Sequence, residues 1–260
     1  MIEGLALFKS HFADFSDCYV LIGGTASTLA MEELGGAFRA TKDLDIVLCL
    51  ESLDKSFASA FWNFIKAGNY QNKQKSNGAP IFYRFTKPQN ENYPFMLELF
   101  SRVPDAIQLK EQAPTLTPIP IDEEVSSLSA ILLDDDYYTF IHQSKRIIDG
   151  LTTIGAECII PLKAKAYLDL SERKRKGEAV DSKNISKHKN DIFRLFTILD
   201  PRTPIFLADN IKIDLQSCFF QLSQEDIDLK PFGIKNTSSL EVLKQLSEIY
   251  KLPQKTVSPL

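Results

Sequence analysis

The chain has 260 residues, 44% hydrophobic and 25% charged, with 34 acidic and 30 basic side chains giving a net charge of −4. That length and apolar content suit one large domain or two of modest size, and the acidic balance excludes a chain that is basic throughout, as nucleic-acid binders commonly are. No apolar run is long enough to span a bilayer, and Met1-Ile2-Glu3-Gly4 lacks the basic start of a secretory signal, so a cytoplasmic protein with no membrane partner is expected.

In chain order, apolar periodicity predicts a helix from about Glu3 to Asp14, a strand over Tyr19–Ile22, a helix over Thr25–Leu34 and a strand over Asp43–Leu48. A helix near Leu53–Lys66 and strands near Ile81–Phe85 and Phe95–Phe100 follow. Between Ile119 and Gly150, alternation predicts strands at Ser129–Leu133 and Tyr138–His142, with Asp134-Asp135-Asp136 as the hairpin turn. From about Ile159 the pattern turns helical. Leu162, Ala166 and Leu170 recur at helical spacing with Pro161 suited to a first turn, while Ile192, Leu195, Phe196 and Leu199 mark a second helix begun by Asp181-Ser182. Arg173-Lys174-Arg175-Lys176 reads as a solvated helix C-terminus closed by Gly177, and a last helix over Ser238–Tyr250 precedes a frayed tail from Pro253. The expected architecture is an α/β (α+β) core, a mixed sheet with flanking helices over residues 1–158, followed by a helical C-terminal lobe over residues 159–260.

The chemistry concentrates between Tyr19 and Leu48. Gly23-Gly24-Thr25 interrupts a strand and opens a helix, where a backbone without Cβ atoms approaches an anion closely and helix N–H groups point at it. Alone, such a turn is as well explained by ordinary capping. On the following strand, Asp43 and Asp45 leave the same face while Leu44, Ile46 and Leu48 face a core. Two carboxylates on one face repel unless a cation joins them, and Mg²⁺ takes one or two carboxylates plus substrate phosphates. A solvated strand end is the bland account of that pair. A third acid, Glu98, sits within the apolar run Pro94–Phe100, where an unpaired charge is expensive to bury. The four cysteines are mutually isolated and fit reduced core thiols, and the three histidines form no zinc pattern; His188 reads as a helix-surface residue or a proton carrier.

The segment LIGGTASTLAMEELGGAFRATKDLDIVLCL resembles the nucleotidyltransferase superfamily signature, a Gly-Gly or Gly-Ser turn followed by an Asp-x-Asp strand. Its Gly-Gly-Thr-Ala opening and RATKDLDI run look most like the AbiEii-type branch, the toxin half of bacterial abortive-infection and toxin–antitoxin pairs. The stretch between Gly24 and Asp43 is longer than members usually have, and a longer helix or an extra turn at Gly35-Gly36 would absorb it. The resemblance implies a Mg²⁺- or Mn²⁺-dependent enzyme moving a nucleotidyl group from an NTP such as ATP to an acceptor hydroxyl, RNA included, and a cognate antitoxin as partner. It implies that Asp43, Asp45 and Glu98 hold metal, that Glu98 takes the acceptor's proton, and that Gly23, Gly24 and Thr25 cradle phosphate. In the basic helical block it implies Lys165 near the triphosphate, with Lys163 as the alternative match, Lys189 beside it, and Asp191 near the catalytic centre. Charge alone reads that block as a solvated surface, with Asp191 paired to Arg194. A non-catalytic nucleotide- or partner-binding scaffold and a small-molecule transferase of the aminoglycoside-modifying kind are the other readings.

Overall fold

The computed structural model describes residues 2–49, 52, 54–70, 82–100 and 134–253. Six strands are present among them: β1 (Tyr19–Ile22), β2 (Asp43–Leu48), β3 (Phe82–Thr86), β4 (Met96–Phe100), β5 (Lys145–Ile148) and β6 (Leu151–Ile154). They form a single sheet in the order β3-β4-β2-β1-β6-β5. The β1/β6 and β2/β4 pairs are parallel and the other three are antiparallel, so the sheet is mixed, as the sequence predicts. Around it lie α1 (Leu5–His11), α2 (Gly23–Glu33), α3 (Lys55–Gly68), α4 (Asp135–Gln143), α5 (Ala156–Arg175), α6 (Ser182–Phe196), α7 (Asp209–Leu222) and α8 (Ser239–Ile249). None of these helices is long and apolar enough to cross a membrane.

Side-chain alternation divides the central strands between two cores. Tyr19, Leu21, Leu44, Ile46, Leu48, Leu97 and Leu99 join Phe8 of α1 and Phe57, Phe61 and Phe64 of α3 on one face. Val20, Ile22, Val47 and Phe100 meet Ala26 and Ala30 of α2 and the apolar stripes of α5 to α8 on the other. This core runs without a break past residue 159, which lies in the first turn of α5. The same alternation sends Asp43 and Asp45 together to the face opposite Leu44, Ile46 and Leu48, as predicted, and that face is the α5 side. A one-residue slip of β2 would expel Leu44, Ile46 and Leu48 from the opposite core, at roughly 5–9 kcal/mol for three aliphatic side chains. Two like charges about 4 Å apart near a protein surface cost only ~4 kcal/mol. Apolar burial therefore sets the register, and the carboxylates are carried along with it.

The segment before β5 differs from its expectation. Tyr138–His142 is not a strand but part of α4, and Asp134 is a helix cap, accepting from the backbone N–H groups of Asp136 at 3.0 Å and Tyr137 at 3.2 Å. Tyr137, Tyr138 and Ile141 then form a buried helical stripe, a 3.6-residue period that the strand reading overlooked. The hairpin here is β5–β6, turned by Asp149 (φ 47°) and Gly150 (φ 68°), the two positive φ values of a type I′ turn. The expected strand Ser129–Leu133, Ile81, and the tail after residue 253 lie outside the described residues. Helix α5 begins before the predicted start, which places Pro161 inside it. Pro161 lacks an N–H for the Glu157 carbonyl, and the Tyr250 hydroxyl donates to that carbonyl instead, at 3.0 Å. All four cysteines are free and buried, as expected.

Candidate active site

The sheet wall of the site is a register effect. Asp45 pairs with Ile22 on one side and with Glu98 on the other, and Glu98 pairs across β4 with Arg84. The Arg84 guanidinium reaches Glu98 through Nε and Nη2, each 2.5 Å from Oε1. Glu98 is only 6% exposed. Burial, reinforced by the charge of Asp45 and opposed by Arg84, raises its carboxyl to about 8. Burial also raises Asp45, to about 6, with Lys163 opposing and Asp43 adding to the shift. Glu98 and Asp45 are hydrogen-bonded, and each raises the other. Two ionised carboxylates in contact within a buried site are too unfavourable to persist without a cation.

The Gly-Gly turn packs directly against this wall. Gly23 has φ +63°, and a Cβ there would lie 1.8 Å from Asp45 Oδ2. A Cβ on Gly24 would lie 2.6 Å from Thr41 Oγ1. The first turn of α2 starts at Gly23 with no side-chain cap, so its backbone donors open beside the carboxylates. Thr25 has a different place. It is fully buried, and its hydroxyl donates to the Asp43 backbone carbonyl at 2.8 Å, pinning α2 to β2.

Opposite the carboxylates, Arg39, Lys163, Lys187 and His188 line the same cleft, with Ile159, Leu162 and Ala166 beside them. Ile159, Leu162, Lys163 and Ala166 sit at i, i+3, i+4 and i+7, one face of α5. Lys165 falls off that face. Its Nζ is 2.8 Å from Asp214 of α7 and 5.9 Å from the Tyr137 ring centroid, outside the cleft lining. Of the two lysines matched by resemblance, Lys163 is therefore the one at the cleft. Lys189 is also turned away and pairs with Glu225, whereas its neighbours Lys187 and His188 face inward. The difference is helical phase: two residues on a helix differ by about 200°.

Asp191 stands behind the basic wall. It is fully buried and grips Arg39 in bidentate fashion, Nε to Oδ1 at 3.0 Å and Nη2 to Oδ2 at 2.9 Å. Lys163 Nζ lies 3.1 Å from Oδ2 and Arg194 Nη1 3.3 Å from Oδ1. Although burial opposes ionisation, Lys163 and Arg39 hold the Asp191 carboxyl down at about 2. Burial lowers Lys163 despite the attraction of Asp191. Asp191 is thus a positioning residue that fixes two cleft cations, and the expected surface pair with Arg194 is a part-buried one.

Arg39 and His188 are site residues that the sequence did not single out for the cleft. The residues between α2 and β2 end the helix at Glu33, turn at Gly35 (φ +74°) and continue through Arg39 and Thr41 to β2. The added length between Gly24 and Asp43 therefore delivers a cation. The available signal was Arg39 itself, four residues before Asp43 in RATKDLDI. His188, expected as a helix-surface residue or a proton carrier, is 9% exposed, and among the described residues its Nδ1 has no hydrogen-bond partner.

Among the described residues, no three His, Cys, Asp or Glu side chains converge as a metal-holding group. Arg84 already offsets the charge of Glu98, which leaves the same-face pair Asp43 and Asp45 as the carboxylates that could hold a metal. Two carboxylates with phosphate oxygens completing the shell suit Mg²⁺, and the upward shift of Asp45 beside Asp43 and Glu98 marks where a cation would relieve charge.

No protein-family profile matches the chain, and no curated protein matches it. Among solved structures, it is similar to the crystal structure of an antigenic nucleotidyltransferase-like protein from Paracoccidioides brasiliensis, with 16% identity and a TM-score of 0.47 over 95% of this chain and 94% of that one. It is also similar to JHP933 from Helicobacter pylori, with 16% identity and a TM-score of 0.33 over 95% of this chain and 89% of that one.

Proposed function

We propose that the protein is a nucleotidyltransferase that moves a nucleoside monophosphate from an NTP to an acceptor hydroxyl. The observation that carries this reading is the polarity of the cleft: carboxylates Asp43, Asp45 and Glu98 on the sheet side face cations Arg39, Lys163 and Lys187 on the other. A metal–polyphosphate complex has the matching charge pattern, divalent cation on one side and anionic oxygens on the other. Mg²⁺ or Mn²⁺, when bound, would offset charge on the phosphates and orient them for in-line displacement. Asp43 and Asp45 would hold it. Arg39 and Lys163, fixed by Asp191, would hold the β- and γ-phosphates without reorganisation. The Gly23-Gly24 turn would admit the phosphate chain beside Asp45.

In the transfer step, the acceptor oxygen bonds to the α-phosphorus, the bond to the bridging oxygen breaks, and pyrophosphate leaves. Glu98, whose burial raises its proton affinity, would take the hydroxyl proton once its own has passed to solvent. The basic wall favours an RNA acceptor over a cationic small molecule. The resemblance of RATKDLDI to the AbiEii-type branch supports a toxin role, with a cognate antitoxin as protein partner.

The test is transfer from each of four α-labelled NTPs, with Mg²⁺ and total bacterial RNA, beside the Asp43→Ala/Asp45→Ala variant. Label in a discrete RNA band that the variant loses is the expected result. Label in protein or a small molecule would change the acceptor. NTP binding without any transfer would replace the enzyme with a nucleotide-binding scaffold.

A further inference from the structure

The sheet carries a cation of its own among the carboxylates. Register sets Arg84, Glu98, Asp45 and Ile22 in one row across β3, β4, β2 and β1, so the pleat sends the Arg84 side chain to the face that holds the acids. Its Nε and Nη2 meet the same oxygen, Glu98 Oε1. The Arg84 side chain is 18% exposed and that of Glu98 8%, so the pair is shielded from water and only weakly screened by salt. Glu98 lines the cleft and Arg84 does not: the guanidinium reaches the carboxylate from the edge strand, behind the acidic wall. A guanidinium suits that place. It stays charged at every pH a folded protein meets, is weakly hydrated, and offers donors without any position at which water or substrate could coordinate.

The charge balance of the wall follows. Asp43, Asp45 and Glu98, when ionised, carry three negative charges and Arg84 returns one, so the wall presents two, the charge of one divalent cation. A pair of metal ions about 3.5–4 Å apart needs anionic donors for both, and the carboxylate that a second ion would use here is already neutralised. We propose that Arg84 is the resident counter-cation of the acidic wall, a positioning residue that holds Glu98 in place of a second divalent ion and so limits the cleft to one metal, at Asp43 and Asp45. This deepens the nucleotidyltransferase reading and rests on it. Glu98 then serves as a proton acceptor and not as a ligand.

The experiment is a titration of the full chain and its variants with Mn²⁺ alone, followed by the electron paramagnetic resonance of the free ion, which counts bound metal without any turnover. Wild type should bind about one Mn²⁺ per chain. Arg84→Met, which keeps an extended side chain but not its charge, should take up a second ion or bind the first at least about tenfold more tightly, and Arg84→Lys should match wild type. Arg84→Met/Glu98→Gln removes the pair as a unit and leaves no buried charge unpaired, so it reads the same role should Arg84→Met fail to fold. It should keep the wild-type count, with affinity within about threefold; a loss of about tenfold or more would make Glu98 a ligand and sink the proposal. More than one Mn²⁺ on the wild-type chain, or an unchanged count and affinity in folded Arg84→Met, would overturn the role of Arg84 alone. A wild-type chain that binds no Mn²⁺ would overturn the metal-dependent transferase reading, and this proposal with it.

Discussion

The two walls of the cleft are built by different means. The acidic wall lies within the sheet: Asp43 and Asp45 come from one strand, Glu98 from the parallel neighbour, and pleat and register alone make them converge. The basic wall is assembled at long range, with Arg39 and its anchor Asp191 separated by 152 positions in the chain. Strand alternation suffices for the first. The second needs a buried carboxylate that gathers cations from a loop and two helices. The acidic wall is accordingly at odds with itself, with both Asp45 and Glu98 raised, while the basic wall is satisfied, with Asp191 held low.

The sharpest test of that contrast is to remove each wall's carboxylates. Asp43→Ala/Asp45→Ala should lower nucleotide transfer by at least about 100-fold, while the thermal midpoint by circular dichroism stays level or rises, because mutually repelling acids are gone. Asp191→Ala should do the opposite. It leaves Arg39 and Lys163 without their buried counter-charge and should cost roughly 3–5 kcal/mol in urea unfolding; a loss below ~1 kcal/mol would show that Asp191 does not anchor the wall.

A comparison of the two lysines on α5 carries a smaller effect. Lys163→Ala should weaken NTP binding about tenfold, the scale of one charge-assisted contact. Lys165→Ala, which removes a partly exposed pair with Asp214, should cost under ~1 kcal/mol and leave transfer within about twofold.

Acid and base should separate the walls more gently. Glu98 binds its proton more tightly folded than unfolded, so stability should fall as pH rises from 4.5 to about 8. Glu98→Gln should flatten that slope, and an unchanged slope would remove Glu98 as its source. Asp191 has the reverse sign: its contribution is present above 3.8 and is lost as pH falls toward about 2.

What was legible in the sequence follows this division. Strands β1 and β2 were read to their ends, because period-two patterning with a flanking Gly-Gly turn has few alternatives. Asp43 and Asp45 on one face and Leu44, Ile46 and Leu48 on the other came from that same pattern. The α4 segment was misread because Tyr138-Tyr137 aromatics favour strands locally, while the Asp134 cap and the Ile141 spacing decide for a helix. On α5 and α6 the apolar faces were read correctly, with Leu162, Ala166, Leu170, Ile192 and Leu195 all buried, but not the sides taken by Lys165 and Lys189. A lysine's side of a helix depends on which face is buried by partners far along the chain, such as Asp214 for Lys165 and Glu225 for Lys189. Arg39 lay in an irregular connection, where periodicity gives no direction at all.

Strand β2 is hydrogen-bonded on both sides, to β1 and to β4, along the residues that carry the carboxylates. Its amide protons therefore reach solvent only when the sheet itself opens, not by fraying at an edge. Occupancy at Asp43 and Asp45 would consequently slow hydrogen–deuterium exchange across neighbouring strands together, rising with the logarithm of ligand concentration. Arg39, on a connection outside the ladder, would show occupancy as a change confined to its own segment.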